Sequence, residues 1–100
     1  MPKQDMTAYD ALFEAFLALE TVEECRRFFE DLCTVKELAD LNQRLQVAKM
    51  LDSGLNYNDI SRATGASTAT ISRIGKCLKY GEDGYRLVLD RLQSGGKKDN

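Results

Sequence analysis

The run Ile60-Ser61-Arg62-Ala63-Thr64-Gly65-Ala66-Ser67-Thr68-Ala69-Thr70-Ile71-Ser72-Arg73-Ile74 places two short helical patterns on either side of one glycine. Two short helices joined by a tight glycine turn form a helix-turn-helix unit. Each part of that unit makes its own demand on the sequence. The first helix, read over 57–64, needs an inward aliphatic residue and a small residue facing its partner; Ile60 and Ala63 fit. The turn needs a residue at ease in the left-handed conformation, and Gly65 stands there. The second helix, read from an N-cap at Ser67 to about Tyr80, needs inward aliphatics about one turn apart. Ile71 supplies the first, and Ile74 or Leu78 the next. Its outward residues must be short or basic to enter a groove lined with phosphates, as Ser67, Thr68, Thr70, Ser72, Arg73, Lys76 and Lys79 are.

The flanking chain reads as further short helices. Asn56 can cap the first helix of the unit, with Asp59 adding favourable negative charge in its first turn. Thr34-Val35-Lys36-Glu37 is a capping box that opens a longer helix to about Asp52, with Leu38, Leu41, Leu45, Ala48 and Leu51 inward. Gly54 is its C-terminal stop. Thr21-Val22-Glu23-Glu24 repeats the device and opens a helix with Val22, Cys25, Phe28, Phe29 and Leu32 on one face. The first helix, 7–19, carries Ala8, Ala11, Leu12, Ala15, Phe16 and Leu19 at helical spacing, yet Tyr9, Phe13 and Leu17 are apolar on the other side. A helix apolar nearly all round must be covered nearly all round. A chain this short has few elements to spare for that, whereas a partner chain could supply the cover. The last helix, 84–93, puts Tyr85, Val88, Leu89 and Leu92 on one stripe, and 94–100 reads as a flexible tail. The expectation is one all-α domain over 1–93, of about six helices, with the helix-turn-helix at 56–80.

One hundred residues with 43% hydrophobic and 30% charged side chains fit a small globular domain rather than a disordered chain. There is no histidine, which removes Ser-His-Asp and Cys-His nucleophile systems and histidine-ligated metals. Cys25, Cys33 and Cys77 are odd in number and form no CxxC pair, so neither a disulfide framework nor a zinc site is expected; a reducing cytoplasm fits. The longest apolar run, residues 15–19, is far short of a membrane span, and residues 1–5 show no signal-peptide pattern. The net charge of −2 misleads, because residues 60–81 hold Arg62, Arg73, Lys76 and Lys79 with no acidic residue. A basic block inside an acidic protein is a local electrostatic footprint for nucleic acid. Alone it is more often the mark of a solvated face. An ordinary helical hairpin with small surface residues would share the punctuation of the helix-turn-helix, too. That the block coincides with the second helix favours DNA.

The chain also resembles the Trp repressor superfamily, most closely its YerC/YecD-type branch of small bacterial proteins. The stretch 34–78 carries the resemblance, above all 45–54 and the Gly-Ala-x-x-Ala-Thr-Ile-Ser-Arg pattern at 65–73. The resemblance implies an interlocked homodimer of six-helix chains that binds double-stranded DNA. It implies that Ser67, Thr68, Ala69, Thr70 and Ser72 are presented to DNA with Asn58 from the preceding helix, and that Lys79 lies on the backbone. Trp repressor is one of the standard helix-turn-helix systems, and its docking geometry comes with the resemblance. The family's ligand pocket is built around two arginines flanking an indole ring; Arg44 and Arg73 fall on those positions. Thr34 falls on a pocket residue contributed by the other chain. Two departures stand out. The loop between Gly54 and Asn56 is one residue shorter than in the tryptophan-sensing member. Ile74 stands where that member has glycine, and a β-branched side chain there would fill the space of an indole. No cofactor is required on this reading, and any corepressor is a small molecule of unknown identity rather than tryptophan. An ion pair with Glu or Asp is the plainer role for either arginine, as is a phosphate contact for Arg73.

The leading function is a dimeric DNA-binding transcription regulator, acting as a repressor, and not an enzyme. A helical enzyme with an arginine-lined anion site, like a chorismate mutase, would recruit Arg26, Arg27, Arg44 and Lys49 with Glu37 or Gln43. No spaced arginine-lysine-glutamate motif supports it. A protein-interaction module that kept the fold but lost DNA would use the acidic first third.

Overall fold

In the computed structural model, which describes residues 5–95, a 3₁₀ turn (Met6–Tyr9) precedes six helices. These are α1 (Asp10–Leu17), α2 (Val22–Leu32), α3 (Val35–Asp52), α4 (Tyr57–Thr64), α5 (Thr68–Tyr80) and α6 (Gly84–Gln93). The described residues contain no strand, and none of their helices is long and apolar enough to cross a membrane. The chain forms two compact units divided between Leu38 and Ala39.

In the first unit, the helix expected from residue 7 begins instead as the 3₁₀ turn. The Asp5 carboxylate accepts from the Thr7 N–H at 3.0 Å and from its hydroxyl at 2.7 Å. That local bond caps the tighter turn, and α-helical geometry starts only at Asp10. Four rings join α1 to α2: Phe16 stacks on Phe29 with centroids 5.3 Å apart and meets Phe28 edge-on at 6.0 Å, and Phe13 tilts against Phe16. Such ring pairs each add about 0.5–1.5 kcal/mol beyond area burial. No residue of α1 or α2 is fully buried. Leu17 is 83% exposed, and Val22, expected inward, is 69% exposed. Both capping residues act as expected. The Thr21 hydroxyl accepts from the Glu24 N–H, and Glu24 reaches back to the N–H of Glu20, one residue before the cap. Thr34 and Glu37 close the reciprocal box on their own backbones at 3.1 and 2.9 Å.

The second unit holds the core: Val47 and Ala48 of α3, Ile60 of α4, Ala66 of the turn, Ile71 and Ile74 of α5, and Leu89 of α6. Leu45, Met50, Leu51, Leu78 and Tyr85 pack against it half-buried. Both Ile74 and Leu78 therefore point inward. Ala63 is exposed, and the buried small residue of the unit is Ala66 in the turn. Burial on α3 is confined to its C-terminal half, so Leu41, expected inward, is 45% exposed. Val88 and Leu92 of α6 are exposed beside the buried Leu89. The helical stripes are real, but they are wider than the surface their neighbours in this chain cover.

Local chemistry ends these helices where the sequence places the ends. Past α3, the Gly54 N–H bonds the Leu51 carbonyl and the Leu55 N–H bonds Met50, with Gly54 at φ 89°. That is the full Schellman pattern. Asp83 begins α6 from a left-handed φ of 68°, a conformation a short aspartate tolerates. Arg86 then fastens α6 to the end of α3. Its two Nη atoms donate to both Asp52 oxygens at 2.8 and 3.0 Å, and its Nε donates to Asp90 at 3.1 Å. Gln93 adds a bond to Asp52 at 3.0 Å. Of the tail read over 94–100, Ser94 bonds back to Asp90, and residues 96–100 lie outside the described residues.

Candidate nucleic-acid interface

The turn between α4 and α5 is stitched by side chains. Gly65 sits at φ 78° and its N–H bonds the Ser61 carbonyl at 2.8 Å. Ser61 donates its hydroxyl to the Ala66 carbonyl at 2.8 Å. The Thr64 hydroxyl donates to the Ile60 carbonyl and accepts from the Ala66 N–H. Gln43, reaching from α3, donates to the Thr64 carbonyl at 3.0 Å. Each bond satisfies a backbone group that the turn would otherwise leave unpaired. Asn56 caps α4 through the Asp59 N–H at 2.8 Å, and Ser67 caps α5 through the Thr70 N–H at 3.1 Å. The N-termini of both helices are thus fixed before any ligand arrives.

At 100° per residue, α5 has three sides. Ile71, Ile74 and Leu78 face the core. A second side carries Thr68, Ser72, Gly75 and Lys79, with Ala69 and Lys76 at its margin. Among the described residues neither Lys76 nor Lys79 forms an ion pair, so both charges are available to an outside anion. The third side carries Thr70, Arg73 and Cys77. Thr70 is half-buried and its hydroxyl meets that of Ser67 at 3.2 Å. The candidate DNA residues therefore do not share one face: Thr68, Ser72, Lys76 and Lys79 come together, and Thr70 and Arg73 turn away from them. Ser67 is spent on the cap. On α4, Asn58 is exposed, while Arg62 pairs with Asp59 at 3.5 Å. Asp59 lies one residue outside the acid-free block, and its i,i+3 spacing to Arg62 was the sequence signal for that pair.

These features meet known proteins at the level of the whole chain. Residues 7–93 match the Trp repressor protein family. The chain belongs to the Trp repressor family. It is 55% identical over 84 residues to the uncharacterized protein YerC of Bacillus subtilis, covering 84% of this chain and 81% of that one. It superposes on a candidate Trp repressor from Staphylococcus aureus with a TM-score of 0.84 at 49% identity, covering 91% of this chain and 96% of the other. A TrpR-like protein from Eubacterium eligens gives 0.83 at 49% identity, covering 92% and 94%. The Trp repressor fold is a regulator fold.

The side of α5 that bears Arg73 faces a different environment. Tyr85 of α6 is half-buried there, and burial pushes its phenol above its ordinary pKa. Cys77 adds to that push, while the charges of Arg44 and Arg73 pull it down. Arg44 and Arg73 are exposed, and among the described residues neither forms a salt bridge. Tyr85, with Leu45, Cys77, Gly81, Glu82, Gly84 and Val88, lines an open apolar recess of about 590 Å³. Thr34 caps α3 with its hydroxyl. Ile74 is in the core. Tyr85 was missed as a site residue because its position in the last helical stripe reads as plain packing. Gln43 was missed because its partner is a backbone carbonyl 21 residues away.

Proposed function

We propose that the protein is a homodimeric DNA-binding transcription regulator, a repressor, working in the bacterial cytoplasm. The observation that carries this reading is the α4–Gly65–α5 unit, whose second helix shows Thr68, Ser72, Lys76 and Lys79 on one acid-free side. The second helix of such a unit enters the major groove with its leading residues at base edges. The exposed apolar residues of α1 and α2 support the dimer, since a second chain would bury them. Arg44 and Arg73, whose charges act on Tyr85 in the apolar recess, support modulation by a small molecule with an anionic group. Ile74 occupies core volume next to Arg73 that a glycine would leave open, which disfavours an indole. Selection of bound duplexes from a random pool, with and without a small-molecule extract, tests all of this. Enrichment of a two-fold symmetric site is expected. No enrichment at low salt would sink the reading.

A further inference from the structure

A groove of about 520 Å³ opens on the second unit between the start of α4, α5, the end of α3 and the start of α6. It is distinct from the apolar recess and its lining is of another kind. Lys76, Lys79, Ser72 and the Tyr57 phenol border it, over a floor that includes Gly75 and Leu51. Its acid, Asp52, is already bound by both Nη atoms of Arg86. That leaves two unpaired ammonium groups and three hydroxyls, those of Ser72, Tyr57 and the exposed Tyr80, around one hollow. Gly75 lies directly under α4: a Cβ there would meet the Tyr57 hydroxyl oxygen at 3.6 Å and Leu51 at 3.8 Å, both ordinary van der Waals contacts. The Tyr57 side chain therefore lies across α5 with its hydroxyl over the glycine. Tyr57 is 42% exposed, and among the described residues its hydroxyl has no hydrogen-bond partner. Ser72, Gly75 and Lys79 belong to the same side of α5 as Thr68, so the groove continues the face assigned above to DNA.

We propose that this groove seats a backbone phosphodiester of the bound duplex, with the Tyr57 hydroxyl donating to a phosphate oxygen that Lys76 and Lys79 neutralise. The proposal rests on the DNA-binding reading and adds a neutral contact from α4, the helix that crosses the backbone in such units. A hydroxyl and an ammonium leave different signatures. Each ammonium–phosphate contact releases counterions and contributes roughly 0.9 to the slope of log affinity on log salt. A hydroxyl contributes affinity and no slope. Phosphate carries no sequence information, so the loss must be equal for all sequences.

Fluorescence anisotropy on several duplexes over a salt series tests this with the full chain, comparing wild type, Tyr57→Phe and Lys79→Ala. Tyr57→Phe should melt like wild type. It should weaken every duplex by about tenfold per engaged chain, the order of one hydrogen bond to a charged acceptor, with the slope unchanged. Lys79→Ala should flatten the slope. Wild-type affinity in Tyr57→Phe overturns the proposal while leaving the regulator reading intact, as does a loss confined to one base pair. No duplex binding by wild type at low salt sinks both. Inorganic phosphate titrated into the DNA-free protein, followed by NMR of Tyr57 and the lysines, separates the sources. Saturation at low millimolar phosphate would make the groove a free-anion site and overturn the phosphodiester assignment.

Discussion

Gly65 shows how much one residue can decide. Its φ of 78° costs an L-residue roughly 1–2 kcal/mol, and a Cβ there would meet only the Gln43 amide at 3.9 Å. Gly65→Ala should therefore lose about that amount by urea denaturation, purely through the backbone, and Gly65→Asn should lose less. Equal losses would mean that the turn relaxes into another conformation. The same reasoning separates the residues of α5. Ile71 fills a sealed core position, so Ile71→Ala should cost about 2–5 kcal/mol and unfold a large share of molecules. Thr68 faces solvent and touches no core, so Thr68→Ala should leave the melt unchanged and alter base preference in a binding selection. Thr70, half-buried and bonded to Ser67, should instead lower stability when replaced by Ala, with little change in base preference.

At the level of elements, α6 combines packing with a polar clasp. Leu89 is its one fully buried residue, Tyr85 packs half-buried beside the core, and the Arg86 fork on Asp52 adds a polar tie. Hydrogen bonding to Arg86 holds the Asp52 carboxyl below its ordinary value of 3.8. A carboxylate depressed by folding contributes stability that is fully present above its unfolded pKa and lost as the pH falls through the folded one. The melting temperature should thus be insensitive to this pair above about pH 4 to 5 and fall below it. Asp52→Asn should be less stable at neutral pH and show a shallower acid decline. Some decline should persist, because Asp5 is also depressed by its bonds to Thr7. An unchanged decline in Asp52→Asn would show that the fork contributes nothing to folding.

At the scale of the whole molecule, the surplus of exposed apolar side chains sets the prediction. Leu12, Phe13 and Leu17 of α1, Val22 and Leu32 of α2, and Val35, Leu38 and Leu41 of α3 are all uncovered within one chain. Chains with that pattern often have no stable folded monomer, so their melting rises with concentration. Here it should do so, with a dimeric sedimentation mass. A concentration-independent melt of a monomeric species would exclude the dimer. In a dimer the two α5 helices must enter grooves about one turn apart. Moving the half-sites by half a turn should then cost more affinity than any single base change, each expected near roughly 1 kcal/mol. One dominant base pair read by Arg73 alone would contradict this.

Much of this protein was already legible along the chain. The six helices, their caps at Thr21, Thr34, Asn56 and Ser67, and the stops at Gly54 and Gly65 follow from bonds between residues three to five apart. Such bonds depend on local spacing alone, so a sequence can be read for them directly. The pairing of Ile60 with Ile71 followed from period and turn length in the same way. What a stripe cannot reveal is how much of it gets covered. Val22, Leu41, Val88 and Leu92 carry the same periodic signal as Ala48 and Leu89, and only neighbours far along the chain separate buried from bare. The long-range polar contacts were hidden for the same reason. Gln43 on the Thr64 carbonyl, Arg86 on Asp52 and the Tyr57 hydroxyl over Gly75 join residues 18 to 34 positions apart. Their meeting depends on how whole helices cross, and that geometry is set by the packed core rather than by any local pattern.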